Sequence, residues 1–270
     1  MPGMQRRRFL SSSLAASGAA VAGMDLLTAQ PKSPAGGREY YQLRKYHFDM
    51  GAQQKLAPSY FEHALIPALN RLGITPVGVF ELDIGPETPT TYLLMPSSSL
   101  DVLANIDLLL AQDQEFLKAG SNFWEAPAQT PAFGRVESSL MIAFQGHPKL
   151  TLPPATAQKG KRVFQMRTYE SPSYADHIRK VEMFNSGEYD IFRKAGFWEV
   201  FYGDTLIGQR LPALTYMLSF ADLAELNDKW KTFGSDPDWK KLSNSPRYSY
   251  EPIVSKITNL ILNPADYSQI

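Results

Sequence analysis

The side chains best equipped for recognition sit on two short alternating stretches. In Tyr41-Gln42-Leu43-Arg44-Lys45-Tyr46 and in Phe164-Gln165-Met166-Arg167-Thr168-Tyr169, a Gln, an Arg and a Tyr recur at every second position. Alternate residues of a strand share a face, so Gln42, Arg44 and Tyr46 form one polar row and Gln165, Arg167 and Tyr169 another. A guanidinium is a planar fork of donors, and among tyrosines it is suited to hold a carboxylate or another anion. The competing reading is internal: each arginine pairs with an acid such as Glu81 or Glu199, because buried charges are normally paired. His47, at the end of the first stretch, and Glu188, inside a helical stretch, are the other candidates. Glu188 follows Asn185-Ser186-Gly187 and stands where the first stretch of the chain has Leu65. It reads either as an acid or base at a pocket mouth or as the last member of a capping box led by Asn185.

Other chemistries leave no mark. There is no cysteine, which excludes disulfides and thiolate chemistry. The four histidines, His47, His63, His147 and His177, show no metal-ligand spacing, so no metal site is expected. No GxSxG elbow, P-loop or strand-borne GxGxxG occurs, and neither a catalytic set nor a cofactor can be named. Lys+Arg and Asp+Glu are balanced at 27 each, which argues against nucleic acid as partner.

The elements that must carry these residues are written twice. Tyr41 and Phe164 are 123 residues apart (164 − 41), and the same offset relates Gly73 to Gly196, Leu103 to Leu226, and Asp113 to Asp236. Thr91-Tyr92 against Thr215-Tyr216 suggests a local slip of one. Each copy reads as strand, helix, two strands, helix, strand, with a glycine ending the first helix and Ser98 or Ser99 or Asp236 starting a later one. That order is ferredoxin-like βαββαβ. The fold class expected is α+β: two tandem ferredoxin-like units that cover each other's open sheet face, an intrachain version of the α/β barrel usually built by dimers. Tyr41, Leu43, Phe164 and Met166 are expected against the helices, and the two polar rows inside the barrel.

The chain opens with Arg6-Arg7-Arg8-Phe9-Leu10 and a weakly apolar Ser/Ala/Gly/Leu run. This order resembles a twin-arginine export signal, so a periplasmic or otherwise extracytoplasmic location is expected. The divisions expected are a signal peptide at 1–30, a linker at 31–38, a first unit at 39–147, a linker at 148–161 and a second unit at 162–265. No downstream run is apolar enough over a sufficient length to span a bilayer.

Phe164-Gln-Met-Arg-Thr-Tyr169, Val181-Glu-Met-Phe-Asn185, Ile191-Phe-Arg-Lys-Ala-Gly196, Leu214-Thr-Tyr-Met-Leu218 and Asp238-Trp-Lys-Lys241 resemble the NIPSNAP family. The first copy resembles it more loosely, through Tyr41-Gln-Leu-Arg-Lys-Tyr46 and Thr91-Tyr92. The resemblance implies a dimeric α/β-barrel fold and no defined reaction. Two functions follow: binding of a small organic molecule, anions included, in the barrel interior, or a non-enzymatic interaction or oligomerisation module, with homo-oligomers open to either. Similar barrels in other families host cofactor-free oxygenases and haem enzymes, an analogy of fold only. The closer copy, the second, is expected to be the working half, with Arg167 more important to a ligand than Arg44. Replacing Arg6 and Arg7 together by lysine should leave the precursor in the cytoplasm; fractionation showing normal export would refute the twin-arginine reading.

Overall fold

The computed structural model describes residues 37–49 and 51–270; the expected signal peptide and most of the linker at 31–38 lie outside the described residues. The first half contains β1 (Tyr40–His47), α1 (Gly51–Tyr60), α2 (Ile66–Arg71), β2 (Gly78–Leu82), β3 (Thr90–Ser97), α3 (Leu100–Ala104), α4 (Ile106–Leu110), α5 (Gln114–Trp124) and β4 (Arg135–Ala143). A short α6 (Pro154–Ala157) lies in the connection. The second half contains β5 (Val163–Glu170), α7 (Tyr174–Met183), α8 (Tyr189–Lys194), β6 (Trp198–Ile207), β7 (Ala213–Phe220), α9 (Leu223–Ser235), α10 (Pro237–Ser243), α11 (Tyr250–Ile253) and β8 (Lys256–Pro264). Local chemistry sets the boundaries. Ser99, Asp113, Ser173, Asp222 and Asp236 each accept a backbone N–H as helix caps. Gly73 and Gly196 end their helices at φ of 76° and 77°, a backbone that glycine adopts without steric cost.

The eight strands close into an antiparallel barrel in the order β1-β3-β2-β8-β5-β7-β6-β4. Within each half the same order recurs, last strand, first, third, second. The halves join at two seams, β2 with β8 and β4 with β6. Arg44 lies opposite Leu93 and Arg167 opposite Tyr216, so the 123-residue register runs unbroken through these strands. The one-residue slip suggested by the Thr-Tyr match is therefore absent: Tyr92 and Tyr216 are not equivalent.

The two strand faces are reversed from expectation. Tyr41, Phe80, Leu94, Met141, Phe164, Met166, Phe201, Met217 and Leu262, with Leu43 beside them, pack as one cluster drawn from both halves, which is the barrel interior. Tyr46 instead packs with Tyr60, Phe61 and Phe123 of the first helix layer, and Tyr169 with Phe184, Phe192 and Tyr216 in the second. Alternation defines two faces but not which points inward, because both faces of this sheet are covered. The middle of the interior takes the apolar row, while the polar continuations of the same strand face, Lys45 and Thr168, line an opening at one mouth of the barrel with Glu137 and Arg210. The sheet–helix layer has helix ends and solvent at its margins, and it takes the Gln-Arg-Tyr rows.

The connection at 148–161 is tied down: Thr151 N–H donates to Val200 O at 2.9 Å and Leu150 N–H to Glu39 Oε2 at 2.8 Å. The last residues run back along β2 of the first half. Gln269 N–H donates to Val77 O at 2.9 Å, Val79 N–H to Ser268 Oγ at 3.0 Å, and Ile270 is fully buried against Gly78. Among the described residues no helix is long and apolar enough to cross a membrane.

Phe80 meets Phe164 edge-on across one seam, at 4.8 Å between ring centres, and Tyr41 meets Phe201 at 5.1 Å across the other. Phe164→Ala should cost about 3–5 kcal/mol, the usual loss for a buried phenylalanine. Urea melts would check it; a change under about 1 kcal/mol would contradict the shared interior.

Candidate functional site

The two polar rows have come to different ends. In the first half, Gln42, Arg44 and Tyr46 line a cavity of about 550 Å³ between the sheet and the helices. Its walls are Tyr60 of α1, Asp107 of α4, Phe123 and Trp124 of α5, Phe133, and Val136 and Ser138 of β4. Tyr60 and Phe123 stack with their ring planes 6° apart and 3.9 Å between centres, a rigid aromatic wall. Arg44 Nη1 donates to Asp107 Oδ1 at 2.8 Å and Nε to Gln42 Oε1 at 3.2 Å. Arg44 is buried while the Asp107 side chain is 61% exposed, so the ion pair sits at the cavity rim.

In the second half the corresponding space is filled. The indole of Trp230, on α9, lies over the Arg167 guanidinium at 4.5 Å, and its Nε1 donates to Gln165 Oε1 at 2.6 Å. Gln165 Nε2 donates to Asn259 Oδ1 at 2.9 Å, and Arg167 Nη2 to Tyr169 Oη at 3.0 Å. Tyr169 and Tyr216 share a hydroxyl bond of 2.8 Å. Neither arginine pairs with Glu81 or Glu199: Arg44 takes Asp107, and Arg167 is held by rings and hydroxyls. Of the two rows, the first has open space beside it; the second half has a hollow of about 480 Å³ elsewhere, lined by Gly187, Asp190, Lys194, Asp238 and Tyr248.

The family model for NIPSNAP matches residues 164–269. A solved NIPSNAP-like domain protein from Burkholderia xenovorans is 19% identical over 38% of this chain and 85% of its own, with a TM-score of 0.35. Two solved candidate monooxygenases resemble more of the chain. The one from Lactobacillus acidophilus is 9% identical, covers 84% of this chain and 94% of its own, and superposes with a TM-score of 0.53. The one from Fusobacterium nucleatum is 8% identical, covers 84% and 93%, and gives 0.54. The likenesses to the two candidate monooxygenases show a shared fold. No curated protein sequence matches the chain.

The second half, which holds the residues matched by that family model, buries its own charges. Lys180 Nζ donates to Glu188 Oε2 at 2.6 Å, and both side chains are almost wholly excluded from solvent. Rings of Phe184 and Tyr250 lie 4.4 and 5.0 Å from the ammonium. Glu188 reaches it because the helix widens to a π turn over Phe184–Glu188, with Gly187 at φ 141°. Both sequence readings of Glu188 therefore fail. It does not face an opening, and Asn185 caps nothing, its amide donating instead to Val181 O at 3.1 Å. The equivalent pair in the first half is Ala57 and Leu65, which explains why that half needs no internal counter-ion.

His47 lies on the inward strand face, next to the residues that line the barrel mouth. It faces away from the cavity and meets Glu137 of β4, Nε2 to Oε1, at 3.1 Å. His177 meets Asp204 at 2.7 Å. Among the described residues no three His, Asp or Glu side chains are grouped to hold a metal ion. Asp107 and the aromatic wall were missed, since no motif marks them. The repeat register could have found Asp107, which occupies the position of Trp230.

A second buried acid lies on β6, beside the connection that carries His147 and Thr151. Glu199, 9% exposed, has its carboxyl pushed up to about 7 by burial, with Arg193 acting against this. Its Oε2 is 3.8 Å from His147 Nδ1, and burial holds that imidazole below its usual range. A carboxyl raised in the folded state binds a proton that the unfolded chain has lost, so stability falls as pH rises from about 5 to 7. His147 acts oppositely, costing stability as pH falls. Glu199→Gln should therefore flatten the decline between pH 5 and 7, read from thermal melts; an unchanged slope would show that Glu199 is not the titrating group. In the same half, Lys180→Met alone should cost about 3–5 kcal/mol by stranding Glu188, and adding Glu188→Leu should restore most of it. Denaturant melts of both variants would show whether the second change is additive, which would contradict direct pairing.

Proposed function

We propose that this chain is an exported NIPSNAP-like protein that binds a small organic molecule, anionic ones included, in the helix-side cavity of its first half. One observation carries the reading: a cavity of about 550 Å³ with aromatic walls holds one buried, rim-paired arginine. That size and mix, mostly apolar with a few convergent polar groups, is typical of ligand sites. Arg44 supplies fixed positive charge, Gln42 and Ser138 supply hydrogen-bonding groups, and Asp107 is exposed enough to yield to an incoming acid. Around Tyr41, Phe80, Phe164 and Phe201 the barrel interior is packed with aromatic and aliphatic side chains, and the opening at its mouth is only about 120 Å³, which favours the helix side as the ligand's place.

We also propose that the two halves are tandem ferredoxin-like units. The support is the repeated strand order, the 123-residue register and the two π turns, Phe61–Leu65 and Phe184–Glu188, at equivalent positions. Export rests on the Arg6-Arg7-Arg8-Phe9-Leu10 sequence alone. An interaction module is the second reading, favoured by Tyr174 and Ile178, which are 68% and 64% exposed one turn apart on α7.

Native mass spectrometry of protein purified from its own host's envelope tests the binding reading. A retained small molecule is expected on the unaltered chain and should be absent from Arg44→Met, with the variant's circular dichroism unchanged. Retention by Arg44→Met would refute the site.

A further inference from the structure

Resting on that reading, we infer that the cavity takes a flat, fused-ring aromatic or heteroaromatic ligand carrying an N–H or O–H donor, laid over the Arg44 guanidinium with its donor on Gln42 Oε1. The molecule contains its own guide to this chemistry. Arg44 and Arg167 are equivalent, as are Gln42 and Gln165, and their strands keep one register. Over Arg167 lies an indole, its ring 4.5 Å from the guanidinium and its N–H on Gln165 Oε1 at 2.6 Å. The residue equivalent to Trp230 is Asp107, a short side chain turned to the guanidinium edge at 2.8 Å. Among the described residues no aromatic ring lies over Arg44. The ring-stacking place is thus kept in both halves, and only one half supplies the ring itself.

The partners of the glutamine oxygen agree. Where the indole is present, Gln165 Oε1 takes its N–H and Arg167 Nε has no partner. Where it is absent, Gln42 Oε1 takes Arg44 Nε at 3.2 Å, a long bond that leaves a second lone pair for a ligand donor. The rest of the cavity suits extended rings. Tyr60 and Phe123 present their parallel stack, and Phe133, 37% exposed, stands toward solvent. A guanidinium face and aromatic walls favour flat π-systems over aliphatic chains of equal volume.

Calorimetric titration of the mature chain tests this with four probes: indole, 2-naphthol, cyclohexanecarboxylate and octanoate. Indole and 2-naphthol should bind the unaltered protein at least about tenfold more tightly than the two aliphatic acids, a difference of about 1.4 kcal/mol or more. Asp107→Trp should plant the missing ring, raise Tm and abolish indole binding, whereas Asp107→Ala should keep it. Trp230→Ala should open the matching space in the second half and raise the indole stoichiometry from one to two. Should Asp107→Trp fail to fold, the probe preference and the Trp230→Ala stoichiometry decide. Preference for the aliphatic acids, with loss of binding in Arg44→Met, would overturn the aromatic class and leave the small-molecule site standing. Equal indole binding by Asp107→Trp would overturn the placement over Arg44. Failure of all four probes, together with no retained molecule in native mass spectrometry, would overturn both.

Discussion

Closure of the sheet is the constraint on which the rest depends. Each half alone would leave β2 and β4, or β6 and β8, as unpaired edges and would expose an apolar sheet face. Joining the halves at β2–β8 and β4–β6 satisfies those edges at once and buries Tyr41, Phe80, Phe164 and Phe201 in one interior. With that apolar row turned inward, strand alternation obliges the intervening residues to face the helices. The Gln-Arg-Tyr rows are therefore displaced into the layer where helix sequence, not barrel geometry, decides whether they are covered.

The two halves show how the same scaffold can spend that layer in opposite ways. Trp230, Tyr250, Lys180 and Glu188 fill the second half with a ring-and-charge assembly that covers Gln165, Arg167 and Tyr169. Asp107, Ala57 and Leu65 at three of the equivalent positions leave the first half without that filling, and Arg44 is met only at its edge. A shared fold with the two candidate monooxygenases does not carry their chemistry here, because the differences that matter lie in a few helix positions.

Much of the architecture was legible from the residues. The Gly73 and Gly196 helix ends, the Ser99 and Asp236 caps and the 123-residue register are local signals, and the folded chain keeps them all. The polar rows were legible as rows. Their direction was not, since alternation is symmetric until the cover on each face is known. Asp107 and the Tyr60–Phe123 wall were illegible for a different reason: they come from three separate helices and meet only after packing. Glu188 misled because Asn-Ser-Gly-Glu has the spacing of a cap, while the π turn with its Lys180 partner depends on an ammonium eight residues earlier.

The strand order also sets a timetable. β2 is made early, yet its outer neighbour is β8, and residues 265–270 complete its backbone bonding. Everything from β1 to residue 270 must therefore have left the ribosome before the barrel can shut, and until then the first half waits with an open sheet edge and an uncovered apolar face. A nascent chain in that state exposes the kind of surface that holding chaperones bind. Closure of the barrel waits for β8 and is shared by both halves.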